Sequence, residues 1–255
     1  MGAFEVGTRD WMARTGGRLS GREQARFLML GMRSQMAQMP ERVAAALGLR
    51  RARLASIDLD DLRLPDSPAA REAGELCAEL EPHLENHSRR SYLWSAILAR
   101  HDGLTIDEEL VYVAALLHDH GVPRAIESRD SRCFTVTSAA TAVELAERHG
   151  WDRARAEAAA EGITLHLNPY VPPEQGVESH VLNAGIALDV GGLRHWQVDR
   201  ATKDAVVARH PREGFKRRFP AELREHARHA PGCRAHVLMR RAGFGAMIRT
   251  APFRD

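Results

Sequence analysis

An all-α fold is predicted for this chain of 255 residues by three observations. Apolar residues recur at helical spacing in stretch after stretch. Glycine stands at positions 103, 121, 150 and 192, just past such stretches, where a left-handed cap closes a helix. No alternating apolar and polar run of useful length competes, apart from the short segment CFTVT at 133–137.

The elements follow in order. Residues 21–39 and 40–49 read as two helices, and Met29, Met32, Met36 and Met39 share one face of the first. Methionine at that spacing is expected to fill a core, with a ligand or partner surface as the alternative. A charged connector, 50–64, leads into PDSP at 65–68, which breaks the chain and starts the next helix at Ala69. The domain reading is an N-terminal helical extension over 1–64, a core over 65–220 and a C-terminal helical segment over 221–255 that packs on it. Within the core, helical patterns cover 87–103, 107–121, 152–168 and 177–192, with Thr105, Thr137 or Ser138, and Asp152 as candidate N-caps. The segment NPYVPPEQG at 168–176 is the main irregular loop, stiffened by Pro169, Pro172 and Pro173; it is either a plain connector or a cover over a site entrance. The stretch 206–230 reads as basic and helical, with His210, His226 and His229 expected in solvent.

Four polar residues fall on apolar faces. His118 follows Leu110, Ala114 and Leu117 at the spacing of one helix face, with Asp119 at the rim of that face. His87 shares a face with Ser91, Trp94 and Leu98, and His166 with Ala159 and Ile163. Asp189 lies with Leu182 and Ile186. A lone histidine on such a face is ordinarily a hydrogen-bonded core residue. A charged carboxylate is different, because burying it unpaired costs several kcal/mol, and it needs a cation or strong hydrogen bonds. A divalent metal held by His87, His118, Asp119 and Asp189 would be such a cation.

The order and spacing of NHSRRSYLWS at 86–95, AALLHDHGV at 114–122, SRCFTVTSAATAVELAERHGW at 131–151, GITLHL at 162–167 and ALDVGGL at 187–193 resemble the HD superfamily of metal-dependent hydrolases. The cyanamide hydratase-like branch is the most similar, over roughly 65–220. That resemblance implies an all-helical HD fold with one metal, zinc or iron, on His87, His118, Asp119 and Asp189. It also exposes a departure: relatives commonly carry an acid after the phenylalanine of an Arg-x-Phe motif, where this chain has Thr135 after Phe134.

Two imidazoles and two carboxylates suit Zn²⁺, Fe²⁺ or Mn²⁺. Water on such a metal has its pKa lowered toward about 7 and can attack an electron-poor carbon such as that of a nitrile. His166 is the candidate proton donor, or else a residue orienting a ligand, and Arg132 a candidate for orienting substrate. A phosphohydrolase is the alternative, with Arg89, Arg90 and Arg124 near the metal segments, although no glycine-rich phosphate loop is present. A two-iron oxygenase would need His180 beside Asp189, and nine residues of continuous helix put those two on opposite sides. The remaining alternative is a binding protein with a structural metal and no catalysis.

Composition narrows the partners. The net charge of +2 does not call for a polyanionic partner, and all but two of the 36 basic residues are scattered arginines, so no nucleic acid is expected. The longest apolar run, 111–117, is far shorter than the about 20 residues of a bilayer span. With no apolar segment of signal-peptide length at its start, the chain is expected to be cytoplasmic, acting on a small-molecule substrate, with association into a homo-oligomer left open. Cys77, Cys133 and Cys233 lack C-x-x-C spacing and read as reduced structural thiols rather than a disulfide framework or a thiolate zinc site.

Overall fold

The computed structural model describes residues 5–49 and 54–255; residues 1–4 and 50–53, parts of the N-terminal extension and its charged connector, lie outside the described residues. The helices are α1 (Arg9–Thr15), α2 (Gly21–Ala46), α3 (Pro68–Ala78), α4 (Pro82–Asp102), α5 (Glu108–Leu117), α6 (Gly121–Glu127), α7 (Thr135–Arg148), α8 (Arg153–Leu165), α9 (Val177–Gly191), α10 (Arg200–Arg209), α11 (Phe215–His229), α12 (Arg234–Arg241) and α13 (Phe244–Arg249). No strand occurs among the described residues, only isolated bridges pairing Arg18 with Cys233 and Ala55 with Val198. No helix is long and apolar enough to cross a membrane.

The centre of the molecule is α4. It starts on Pro82, whose missing N–H is free of cost in a first turn, and ends at Gly103, which takes the left-handed conformation at φ 69°. Every residue from Arg90 to Ala99 is buried, as is every residue of α5 from Leu110 to Leu117. Helices covered on all sides in this way must satisfy their polar side chains internally. Against α4 lies α9, and the approach is close enough that a Cβ on Gly185 would stand 2.2 Å from Ser95 Oγ and 2.7 Å from the Ser91 carbonyl. That contact brings Asp189, one turn further along α9, to the side of α4 that carries His87 and Arg90.

Several expectations change. Residues 21–46 form one helix, because Pro40 is exposed and water can satisfy the carbonyl that its ring deprives of a partner. The start of α2 is a capping box: Ser20 Oγ accepts from the Glu23 N–H and the Glu23 carboxylate accepts from the Ser20 N–H. The methionines do not fill a core, since Met29, Met32, Met36 and Met39 are 48%, 64%, 71% and 49% exposed. Gly121 opens α6 instead of closing α5, and what requires glycine there is the Phe134 carbonyl, 2.3 Å from where a Cβ would be. Asp107, not Thr105, caps α5; α7 begins at Thr135 without a side-chain cap, so 133–137 is no strand, and Asp152 caps α8 as expected. His226 is fully buried, because it continues the apolar stripe of Phe215, Phe219 and Leu223 on α11.

Replacing Gly185 by Ala should drive α4 and α9 apart and cost about 2–3 kcal/mol or more, the range for overpacking a filled core. Urea denaturation of the variant should show a lower midpoint with an unchanged slope.

Candidate metal centre

Two helices stop at the same place. His118 is the C-terminal cap residue of α5 and His166 that of α8. A helix end leaves carbonyls without intrahelical partners. Here His118 Nδ1 lies 2.7 Å from the Ala115 carbonyl and His166 Nδ1 lies 2.6 Å from the Ile163 carbonyl. A carbonyl only accepts, so each Nδ1 carries the hydrogen and each neutral Nε2 is left with a lone pair. His87, from the middle of α4, is fixed in the same tautomer by Asp189, whose Oδ2 is 2.7 Å from His87 Nδ1.

The free nitrogens converge. His87 Nε2 and His118 Nε2 are 3.2 Å apart, and Asp119 Oδ2 lies 3.5 Å from the first and 3.3 Å from the second. His166 Nε2 stands 3.7 Å from Asp119 Oδ1. All four side chains are buried, and neither oxygen of Asp119 has a hydrogen-bond partner despite the ion-pair distances. Lone pairs and a carboxylate face one another here, an arrangement that is repulsive unless a positive charge, a metal ion or a proton on His118, occupies it. His87, His118 and Asp119 offer ligand atoms within 4.8 Å of one another, and this set fits a divalent metal. The negative ends of the α5 and α8 dipoles add to the attraction for a cation.

The ionisation of the cluster agrees. Burial opposes the charged form of Asp119, yet the neighbouring imidazoles, His118 first, hold its carboxyl below the usual carboxylate range. Burial also opposes protonation of His118, but Asp119 outweighs it and lifts this imidazole above its ordinary value. Burial pushes His87 down, and burial together with the charge of His118 pushes His166 down to about 3.

Of the residues singled out in the sequence, His87, His118 and Asp119 come together with His166 beside them. Asp189 is not among them. It stands behind His87, on the far ring nitrogen, and both of its oxygens are occupied. Oδ1 accepts from Arg90 Nε at 2.7 Å, Trp94 Nε1 at 3.0 Å and Arg212 Nη1 at 3.3 Å, and Oδ2 from Arg90 Nη2 at 3.0 Å as well as from His87. The cation that this buried carboxylate required is a pair of guanidinium groups, and its role toward the centre is to orient and polarise His87. Arg90 is anchored in turn, with Nη1 donating to the His210 and Pro211 carbonyls at 2.8 and 2.9 Å. Burial opposes ionisation of Asp189, but Arg90 and Arg212 hold its carboxyl well below the usual range.

Arg132 lies outside the centre: its side chain is 57% exposed and paired with Asp130 at 2.8 Å, so it is not placed to orient a substrate there. Thr135 is buried with its hydroxyl 3.3 Å from Cys133 Sγ and 3.2 Å from Arg234 Nη2. The helix α9 is continuous from Val177, so His180 faces the opposite side from Asp189, its Nδ1 2.6 Å from the Val171 carbonyl. Cys133 and Cys233, expected as separate structural thiols, form with His226 a second buried group with ligand atoms within 4.8 Å. The His226 lone pair there already accepts from the Phe134 N–H at 3.4 Å, and Cys233 hydrogen-bonds to Cys133, which is held well below an ordinary thiol. Sequence spacing gives no sign of it, because His226 is 92 residues from the Phe134 whose N–H it meets.

A cavity of about 760 Å³ opens from His87, Asp119 and His166 and runs out beneath α2. Asn168 and Pro169 line it, so the first residues of the 168–176 loop do border the entrance.

A family model matches part of the chain. Residues 84–205 match the HD domain. The matched segment contains His87, His118, Asp119, His166 and Asp189, and it supports the superfamily of metal-dependent hydrolases to which HD domains generally belong. No curated protein matches the chain.

Asp189→Asn should leave the buried Arg90 without its counter-charge, and Arg212 with Asp255 alone, and cost about 3–5 kcal/mol, while lowering metal affinity by about 10- to 100-fold through the loss of the charged acceptor behind His87; chemical denaturation and metal titration read the two effects separately. A second expectation concerns acid. Burial, then Arg89, Arg90 and Arg209, push the His210 imidazole down to about 4. Its folded value is below the unfolded value of about 6.5, so its contribution to stability is complete above about 6.5 and is lost as pH falls toward about 4. The melting temperature of His210→Gln should fall less steeply than that of the parent across this window; parallel curves would refute the assignment.

Proposed function

We propose that the chain is a metal-dependent hydratase of the HD superfamily, in which His87, His118 and Asp119 hold one divalent cation, Zn²⁺, Fe²⁺ or Mn²⁺, and water is added to a nitrile-like carbon. The observation that carries the metal is the convergence of Nε2 lone pairs on the unpartnered Asp119 carboxylate. A cation bound there supplies a nucleophilic hydroxide at neutral pH by acidifying water.

The chain's own groups do the rest. Asp189 keeps the His87 hydrogen on Nδ1 and so keeps Nε2 turned inward. His166 is buried and neutral, with Nε2 facing Asp119. It is a hydrogen-bond acceptor at neutral pH, so its role is to orient the attacking water through Nε2; an imidazole pushed this far down is not the proton donor that the sequence suggested. The Asn183 amide donates to the His166 carbonyl at 3.0 Å and to the Asn168 carbonyl at 2.8 Å, which fixes the backbone on which His166 sits.

Hydration is preferred to phosphoester hydrolysis because of where the cations are. Arg90 and Arg212 are turned to Asp189, Arg89 is paired with Glu85, Arg124 is exposed, and Arg234 donates to the Thr164 carbonyl and to Asn168. Among the described residues the one guanidinium lining the cavity, Arg241, is exposed. A phosphate in the centre would lack the several cations that ordinarily surround its oxygens.

Elemental analysis of the purified chain should find about one equivalent of metal, and His118→Ala or Asp119→Asn should lose it together with turnover of cyanamide. Release of phosphate from a generic phosphomonoester, without hydration of cyanamide or of any nitrile, would replace this reading by that of a phosphohydrolase.

A further inference from the structure

The cavity is out of proportion to a molecule such as cyanamide. Three heavy atoms need on the order of 60–90 Å³ at about 30 Å³ per water-sized group, whereas the space reaching the centre is about 760 Å³. That lies within the range of sites that enclose ligands of drug size. Its wall is apolar almost throughout. Phe27, Met32 and Met36 of α2 face Ile186 and Val190 of α9, with Phe219 of α11 nearer the centre. The polar side chains stand mostly at the inner end, His87, Asp119 and His166, with Asn168 and Asn183 tied to backbone carbonyls.

The methionines of α2 then acquire a reason. Met32 and Met36 remain 64% and 71% exposed although they line a cavity, so they present apolar surface that none of the described residues covers. Methionine is unbranched and polarisable and adapts its shape to what it touches. A contiguous apolar surface of this kind, continuous with a buried reactive group, is the form of a ligand site.

We infer that the substrate of this centre is an uncharged, largely apolar molecule several times larger than cyanamide, an alkyl or aryl nitrile whose chain lies against the methionines of α2 and whose polarised carbon reaches the Asp119 end. The inference rests on the hydratase reading for the reaction and on the cavity alone for the chemical class. The step balances as the addition of water: a C–O bond forms at the nitrile carbon, one C–N π bond breaks, and one proton of the water moves to nitrogen. The second proton shifts from oxygen to nitrogen to give the primary amide, and no oxidant or reductant takes part.

The test uses the metal-loaded full chain and two readouts. In the first, kcat/KM is measured for cyanamide, acetonitrile, hexanenitrile and benzonitrile. It should rise by about fourfold per added methylene, the equivalent of burying one such group. In the second, hexanamide and decanamide are titrated calorimetrically as product-like ligands. They should bind with the same chain-length trend, and Met36→Glu should weaken them at least tenfold while metal content and melting temperature stay at the parental values, with Met36→Leu retaining binding. Amides that bind in this pattern to a chain that hydrates no nitrile would sink the reaction and uphold the apolar ligand. Nitrile turnover that is fastest for cyanamide and indifferent to chain length would uphold the reaction and overturn the inference. Tighter binding of inorganic phosphate than of decanamide would overturn it as well, as would a dimer split by Met36→Glu in a chain that binds no amide, because the α2 face would then be a contact between two copies.

Discussion

The direction of three imidazole hydrogens decides what this molecule can do. Each Nδ1 is turned outward, toward Ala115, Asp189 or Ile163, and each acceptor is one that cannot donate back. The inward nitrogens of the neutral rings therefore present lone pairs. Asp119, buried among them with neither oxygen hydrogen-bonded, makes the interior of the cluster uniformly electron-rich. The centre is thus built less by the residues that meet there than by the ones that hold their backs.

Behind it stands a second charged layer that balances itself. Asp189 is surrounded by Arg90, Arg212, Trp94 and His87, and the guanidinium of Arg90 reaches on to the carbonyls of the 210–211 turn. Buried ion pairs of this kind stabilise little on their own, because desolvation consumes most of the attraction. Their value here is positional: the carboxylate is held at the far nitrogen of His87, and small residues on α4 and α9 allow that approach.

Much of this was legible in the sequence. Helical periodicity gave the all-α architecture, and the apolar faces beneath His87, His118 and His166 gave the direction in which these side chains point. Asp189 was recognisable as a charge that could not be buried alone. What its own segment could not reveal was the partner, since Arg90 and Arg212 come from 99 and 23 residues away; Arg90 stood out only as a cation near the metal segments, and Arg212 not at all. The family resemblance implies Asp189 as a fourth ligand, whereas its carboxylate lies on the far ring nitrogen of His87. The α2 methionines misled for a related reason: spacing establishes which residues share a face, not whether another helix covers it. Pro40 was taken as a boundary because a proline in an unpacked, solvated helix carries a smaller penalty than the general rule implies.

The meeting of two helix ends at the cluster has an effect that reaches beyond holding a cation. Both α5 and α8 direct their free carbonyl ends toward it, and these carry partial negative charge. A neutral molecule in the apolar channel would feel little of that field. Small anions would be held there less well than at a centre built on helix N-termini, whose dipoles point the other way.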